Sequence, residues 1–315
     1  MSTHVSVLLD EAVEALDLVG GDVVVDATLG GGGHFGKILE RLSGEGTAIG
    51  IDADHEAIER AEAVSKTFES KDLTVHLVEN NFRNLDEILD SLDIEAIDAS
   101  LFDLGWSSFQ LERGRGFSFK TEEPLLMTYG EPTSGKTAAD LVNSASEEAL
   151  SELIYTFGEE RFARSIAASI VTLRKEKSIL TTGDLVDAVM KGTPRWYHHR
   201  RLHPATKTFQ ALRIAVNDEL QVVREGLQSA LTRTRHGGRI AVITFHSIED
   251  RIVKGIFRDA QYQGLGASVT KKPIAPSAGE IARNPRARSA KLRVFERGKV
   301  ASLGEKLTQS RYTYA

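Results

Sequence analysis

The stretch VVVDATLGGGGHFG at residues 23–36 decides the fold of this chain. An apolar run that enters a glycine loop and is followed by a helical pattern predicts a strand, a tight turn and a helix. The helical pattern consists of four apolar side chains, Phe35, Ile38, Leu39 and Leu42. A second apolar run at residues 48–51 ends in Asp52, about 20 residues beyond the loop. This arrangement is typical of the first βαβ unit of a doubly wound α/β fold.

In such folds the glycine loop binds a nucleotide cofactor, and the acid after the second strand binds its ribose. Gly31, Gly33 and Gly36 have the GxGxxG spacing that favours a dinucleotide such as NAD. Asp26 argues against NAD, because a carboxylate entering the loop would repel a pyrophosphate. S-adenosylmethionine has no phosphate and carries a sulfonium and an ammonium group. The sequence therefore favours this methyl donor over NAD, and a glycine turn that binds no ligand is a third alternative.

Two further strands are predicted, and each is followed by a residue suited to a ligand site. Residues 74–78 precede Phe82, and residues 94–102 precede Asp103. Because the carboxyl ends of parallel strands line one crevice, we expect four side chains to converge there. They are Asp26, Asp52, Phe82 and Asp103.

The alternation of strands and helices stops after the fourth strand, and residues 138–190 carry helical patterns only, with Ser146 and Thr181 as helix caps. We predict a cofactor-binding α/β domain in two pieces, residues 1–112 and 214–315, with an all-helical substrate-recognition domain inserted at residues 113–213. An apolar stripe over residues 209–231 predicts one long helix that ends at the glycines 237 and 238.

A fifth strand is predicted at residues 239–245 and a last one at residues 291–295. Between them, Ser247 is predicted to cap a helix.

Composition excludes several classes of protein. The chain has 315 residues, 41% of them hydrophobic, and no cysteine, so disulfides, thiol nucleophiles and cysteine-ligated metals are excluded. No group of His, Asp and Glu has the spacing of a metal site, and we expect no metal. No apolar run approaches the ~20 residues of a membrane span, and the N-terminus lacks a signal-peptide pattern. We expect a cytoplasmic protein that does not bind membranes.

The formal net charge of -6 hides two basic segments. Residues 191–213 contain six basic and no acidic side chains, and residues 271–299 contain nine basic and two acidic ones. Two basic segments on an acidic chain indicate binding to nucleic acid.

Several long motifs carry a resemblance to a known family. They are DATLGGGGH (26–34), DLGWSSFQL (103–111), RGFSF (115–119), YTFGEERFARSIA (155–167), HPATKTFQALRIAVNDEL (203–220), FHSIEDRIVK (245–254) and NPRARSAKLRV (284–294). The chain resembles the bacterial 16S ribosomal RNA cytosine-N4 methyltransferases over nearly its whole length. The resemblance implies a Rossmann-like class I methyltransferase sheet with an inserted helical domain. It also implies S-adenosylmethionine as cofactor and, as substrate, a decoding-centre cytidine of 16S rRNA within the small ribosomal subunit.

The resemblance also implies a set of cofactor-binding residues: Gly32, Gly33, His34, Asp52, Phe82, Asp103 and Gln110. His34 and Gln110 rest on the resemblance alone. The chain departs from the family pattern at Trp106, Phe109, Leu126 and Thr128, where a small aliphatic residue, a proline, an acid and a basic residue are usual. These departures concern the pocket for the target base.

Asp103, or a backbone carbonyl close to it, is the predicted catalytic group that accepts an N–H of the cytosine amine. Trp106 is expected to stack on the unstacked base. We assign four further residues to positioning the RNA, namely His203, Lys207, Arg213 and His246.

Three alternatives stay open at this stage. The first is a non-catalytic RNA-binding protein of ribosome assembly, the second is an NAD-dependent oxidoreductase, and the third is a methyltransferase for a small molecule. The sequence also leaves open whether the chain is a monomer or a homodimer.

Overall fold

A computed structural model describes residues 6–68, 70–105, 114–129 and 137–298. These residues form two compact units. The first comprises the described residues within 1–105 and 221–315, and the second comprises those within 106–220. The functional boundaries predicted from the sequence, at residues 113 and 213, stay a prediction.

One sheet organises the first unit. Its strands are β1 (Val23–Asp26), β2 (Glu45–Asp52), β3 (Asp72–Glu79), β4 (Ile97–Asp103), β5 (Thr234–Thr244), β6 (Gly266–Ser268) and β7 (Lys291–Arg297). Their order is β3-β2-β1-β4-β5-β7-β6, with β1 to β5 parallel and β7 antiparallel to both of its neighbours. The chain reverses its direction of travel across the sheet between β1 and β4, which is where doubly wound folds bind ligands. The predicted fold class is confirmed.

The helices alternate with these strands and then continue without them. They are α1 (Leu9–Leu16), α2 (Gly33–Leu42), α3 (His55–Ser65), α4 (Leu85–Ser91), α5 (Ala138–Ser144), α6 (Glu147–Gly158), α7 (Ala163–Glu176), α8 (Thr182–Lys191), α9 (Thr206–Asn217), α10 (Glu219–Arg233), α11 (Ser247–Tyr262) and α12 (Ala278–Arg283). Short 3-10 turns occupy Lys66–Phe68, Phe82–Asn84, Arg195–His199 and Pro285–Ser289. Within the described part of the chain, none of the helices combines the length and the apolar character that crossing a bilayer requires.

Helix α2 is held on the sheet by the apolar stripe that the sequence predicts. Phe35, Ile38, Leu39 and Leu42 are each 0% exposed. They share one core with α1 and with alternate residues of the central strands, such as Val24, Ala48, Leu101 and Ile243. Because this stripe fixes α2 along its length, the glycine loop before α2 is held at the carboxyl end of β1.

The second unit is all-helical in its described residues apart from short turns and an isolated bridge, as predicted for residues 138–190. Ser146 and Thr181 cap α6 and α8, and Thr181 forms a capping box with Asp184. The core of this unit includes Leu150, Ile154, Ile166, Ile170, Leu185, Phe209 and Leu212. The helices therefore bury one face each, as their apolar spacing predicts.

The prediction of one long helix over residues 209–231 is wrong. Helix α9 ends at Asn217, Asp218 adopts a left-handed conformation with φ 51°, and α10 begins at Glu219. The Asn217 amide donates to the Met127 carbonyl at 2.7 Å, and Arg213 pairs with Glu219 across the break. The apolar stripe did not reveal the break because its spacing continues on both sides.

The predicted end of that helix is also wrong, because Gly237 and Gly238 lie inside β5. Gly238 passes so close to β4 that a side chain there would overlap the carbonyl oxygen of Asp98. The next helix, α11, is capped by His246 instead of the predicted Ser247.

A Gly158→Ala variant is expected to destabilise the second unit by about 1–3 kcal/mol, as overpacking does. A Cβ at Gly158 would lie 2.6 Å from the backbone carbonyl oxygen of Lys207, so α6 and α9 would have to separate. Urea unfolding followed by circular dichroism measures the effect. Gly255→Ala in α11 is the matched control, because an added Cβ meets no described atom within 4 Å, and we expect it to be neutral or stabilising. Equal unfolding midpoints for Gly158→Ala and the wild type would contradict the close approach.

Candidate functional site

The glycine loop joins β1 to α2 in a conformation that requires glycine. Gly30 and Gly32 have φ angles of 49° and 78°, and the Gly32 amide donates to the Leu29 carbonyl at 2.7 Å. Gly32 is the N-cap of α2 and offers no side-chain cap. A side chain at Gly33 would overlap the hydroxyl of Ser6. The loop therefore presents bare backbone at the start of a helix.

Asp52 at the end of β2 holds this loop in place. One of its carboxylate oxygens accepts the Gly30 amide at 2.8 Å, and the other accepts the Asp54 amide at 2.9 Å. Arg60 of α3 completes the support, since its Nε donates to the Gly30 carbonyl at 3.1 Å and its Nη2 lies 3.8 Å from Asp54 Oδ2. Sequence analysis identified Asp52 but missed Arg60, which sits on an ordinary helical face.

Asp26 is a buried carboxylate at the end of β1. It is 1% exposed, and Oδ1 accepts the Thr28 amide at 3.1 Å. Oδ2 is buried and has no hydrogen-bond partner among the described residues. Burial raises the pKa of Asp26 to about 7, with a smaller contribution from the charge of Asp52 and against the hydrogen bond from Thr28.

Asp103 occupies the corresponding position at the end of β4. Its amide donates to Thr28 Oγ1 at 2.7 Å, which ties the two strand ends together. About 20% of the side-chain surface is exposed, yet Oδ1 is buried and makes no hydrogen bond to any residue described. Burial raises the pKa of Asp103 well above its usual value, and the carboxylates of Asp26 and Glu249 add to this shift.

His34 lies against the second oxygen of Asp103. The ring is 4% exposed, its Nε2 lies 3.1 Å from the Val7 carbonyl oxygen, and its Nδ1 lies 3.6 Å from Asp103 Oδ2. A carbonyl can only accept, so Nε2 carries a hydrogen and Nδ1 faces the carboxyl group. The contact is favourable when a proton resides on either Nδ1 or Asp103, and the raised pKa of Asp103 agrees with this.

Two buried carboxylates with unpartnered oxygens therefore stand at the ends of adjacent parallel strands, beside a bare glycine loop. Each oxygen lacks the hydrogen bond or counter-charge that normally offsets burial. A positively charged ligand supplies that counter-charge, whereas a pyrophosphate would add further repulsion. The residues at this site fit S-adenosylmethionine and do not fit NAD.

Phe82 lies just past β3, in the turn Phe82–Asn84. Its ring packs edge-on against Phe102 of β4, with centroids 5.5 Å apart. Gly226 of α10 leaves the space for the ring, since a Cβ there would lie 2.5 Å from Phe82 Cδ2. Electrostatic coupling links Asp26 to both Asp52 and Asp103, and Phe82 stands at the same edge of the sheet. Gln110, Trp106 and Phe109 lie outside the described residues.

His246, predicted to position RNA, is engaged in capping α11. Its Nδ1 accepts the Glu249 amide at 3.3 Å, and its Nε2 lies 2.9 Å from Glu249 Oε1. The other Glu249 oxygen accepts the Phe245 amide at 2.9 Å. Glu249 is 3% exposed and was missed from the sequence, although an acid three residues after the cap is the capping-box signal.

Three predicted RNA residues belong to the second unit. Arg213 is 8% exposed and makes two hydrogen bonds to Glu219, at 2.8 and 2.9 Å, so its engagement disfavours a phosphate contact. Lys207 Nζ donates to the Glu159 carbonyl at the end of α6, at 2.6 Å. His203 stacks on Phe119 with centroids 4.6 Å apart, and burial lowers its pKa. Their roles in RNA binding stay predictions.

Comparison with known proteins gives consistent matches over most of the chain. The profile of the MraW methylase family matches residues 1–298. A protein of Dictyoglomus thermophilum named ribosomal RNA small subunit methyltransferase H is 48% identical over 299 residues, which are 94% of this chain and 97% of that protein. Proteins with the same name from Persephonella marina and Geobacter sp. strain M21 are 46% and 45% identical, covering 94% and 93% of this chain and 100% and 98% of their own lengths.

These matches confirm the resemblance, the enzyme class and the methyl donor predicted from the sequence. The enzyme is a methyltransferase that uses S-adenosylmethionine, and it is not an NAD-dependent oxidoreductase. The chain belongs to the MraW methylase family.

Proposed function

We propose that this chain methylates the exocyclic N4 amine of a cytidine in the decoding centre of small-subunit ribosomal RNA, with the small subunit or a late precursor as substrate. The pair of buried carboxylates at Asp26 and Asp103 is the observation that carries the proposal, because it suits a cationic methyl donor. The names of the relatives and the basic segments at 191–213 and 271–299 support RNA as the acceptor.

Bound S-adenosylmethionine supplies an electrophilic methyl group on a sulfonium. The carboxylate of Asp26 offsets positive charge, and the bare backbone at Gly32 and Gly33 allows close approach. Asp52 keeps lone pairs for the ribose hydroxyls after accepting its two amides, because each carboxylate oxygen accepts more than one hydrogen bond. Phe82 provides an aromatic surface for the adenine. His34 and Gln110 complete this set on the resemblance alone.

Asp103 acts on the acceptor. The cytosine amine is a weak nucleophile because its lone pair is delocalised into the ring. An acceptor for its N–H favours localisation of the lone pair, and the methylated nitrogen must then lose a proton. Asp103 takes that proton in its ionised form. His34 is a positioning residue, because its Nδ1 faces the second oxygen of the same carboxyl group.

The proposal is tested by incubating the protein with isotopically labelled S-adenosylmethionine and small subunits that lack the modification, followed by nuclease digestion and mass spectrometry. We expect one labelled nucleoside, N4-methylcytidine, from the decoding centre. Label on a ring carbon or on another base would contradict the N4 assignment. Donor binding without any transfer would favour the non-catalytic assembly protein.

A further inference from the structure

The second unit carries an exposed group of aromatic and arginine side chains that no step above uses. We call it the arginine–aromatic cluster, and it consists of Arg161, Phe162, Trp196, Tyr197 and Arg200. Trp196 is 53% exposed, which is unusual for the largest apolar side chain. An indole left this open to water calls for a partner.

The base of the cluster is rigid. Trp196 and Tyr197 lie in the 3-10 turn Arg195–His199, and Tyr197 is 5% exposed. The Tyr197 hydroxyl donates to Glu160 at 2.7 Å, and the second oxygen of this fully buried Glu160 accepts the Phe162 amide at 2.9 Å. Trp196 packs edge-on against Phe162 and Tyr197, with both centroid distances at 5.8 Å. The indole is therefore held in place before any partner arrives.

The cluster is positively charged. The Arg161 guanidinium lies over the rings of Phe162 and Trp196, at 4.7 and 5.1 Å, and Arg200 lies over Tyr197 at 5.4 Å. Arg195 and Arg201 are also exposed. Glu160 is engaged by Tyr197, and Glu159 is the exposed acid next to Arg161.

We propose that the arginine–aromatic cluster is a stacking platform for an unpaired nucleotide of the ribosomal RNA, an inference that rests on the proposed function for the identity of the acceptor. Flat aromatic and guanidinium surfaces stack on exposed bases, and arginine also binds phosphate. The core of a protein–protein interface is instead depleted in charged residues. The base stacks on Trp196, and the neighbouring phosphates contact the arginines of the turn.

Binding of the full chain to small subunits and to protein-free 16S rRNA, measured by fluorescence anisotropy at several salt concentrations, tests the platform. We expect Trp196→Ala to weaken binding to both by roughly 5- to 100-fold, as loss of a base stack does, and Trp196→Phe to recover part of this. Arg200→Gln is expected to reduce the salt dependence by about one ion. Tyr155→Ala is the matched control, because Tyr155 is 67% exposed in the same unit and lies outside the cluster.

Circular dichroism establishes that each variant is folded. If Trp196→Ala does not fold, Trp196→Phe and Arg161→Gln replace it, and both are expected to weaken binding about 3- to 10-fold. Unchanged binding by the folded variants would overturn the platform. Weaker binding to subunits with unchanged binding to protein-free rRNA would also overturn it and would identify a ribosomal protein as the partner.

A failure of the platform is distinguishable from a failure of the proposed function. Methylation by the wild type, with unaltered binding by Trp196→Ala, refutes the platform alone. Binding of rRNA that depends on Trp196, without methylation by the wild type, refutes the proposed function alone.

Discussion

An Asp103→Asn variant is expected to transfer methyl groups at least about 100-fold more slowly than the wild type, because it removes the proposed proton acceptor. Asparagine keeps the shape of the side chain and leaves the Asp103 amide bonded to Thr28. Its amide group cannot take a proton from the cytosine amine. Single-turnover methylation of small subunits with labelled donor measures the rate, and calorimetry shows how far donor binding contributes to the loss.

The stability of the same variant separates a chemical effect from misfolding. The folded-state pKa of Asp103 lies above its usual value, so ionisation of Asp103 costs folding free energy that grows as the pH rises above about 4. The neutral asparagine removes this cost. We therefore expect Asp103→Asn to be at least as stable as the wild type at pH 7 to 8. Ser100→Ala, on the same strand and also lacking a described partner for its hydroxyl, is the control and should methylate at the wild-type rate. A wild-type rate in Asp103→Asn would remove Asp103 from the chemistry.

An Asp52→Asn variant is expected to bind S-adenosylmethionine at least about 30-fold more weakly. Each oxygen of Asp52 accepts a backbone amide, from Gly30 and from Asp54. In asparagine one of those oxygens becomes an NH2 group, which would face an N–H donor and lose the hydrogen bond. Hydrogen bonds to charged groups contribute about 1.5–3 kcal/mol each, so the glycine loop loses the support that shapes the donor site.

Calorimetric titration with S-adenosylmethionine measures this loss. Glu79→Gln is the matched control, since Glu79 ends the neighbouring strand β3 and its carboxylate pairs with the exposed His55 at 2.7 Å. We expect donor affinity in Glu79→Gln to stay within about twofold, as is usual for a surface ion pair. Equal affinities for Asp52→Asn and the wild type would show that the loop holds its shape without Asp52.

Much of the fold could be predicted because local patterns and tertiary packing agree. The stripe from Phe35 to Leu42 is both a helical pattern and a buried face, so periodicity alone locates α2. Asp54, Ser146 and Thr181 were identified as caps because each side chain bonds an amide two or three residues further on, which sequence spacing reveals. The strand-end acids followed from the rule that parallel strands end at one edge.

The features that could not be predicted depend on contacts between distant residues. The break at Asp218 is stabilised by the bond from Asn217 to Met127, 90 residues away in the chain. Gly238 serves a close approach to β4 that no local signal distinguishes from a helix end. Arg60 supports the glycine loop from the following helix. The Asn217–Asp218 pair was the available signal for the break, because both residue types tolerate left-handed conformations.

The most direct test of the central claim, that a buried carboxylate at the end of β1 binds the cationic donor, is a count of protons released on binding. Asp26 has a pKa of about 7, so the free protein holds this proton in about half of the molecules at pH 7. A bound cation lowers the pKa of a nearby carboxyl by about 1–3, so the proton leaves. Calorimetric titration at pH 7 in buffers of different ionisation enthalpy should show about half a proton more released by the wild type than by Asp26→Asn. Donor affinity of the wild type should also rise from pH 6 to 8 relative to that variant. Equal proton release and equal affinities in the two proteins would contradict the claim.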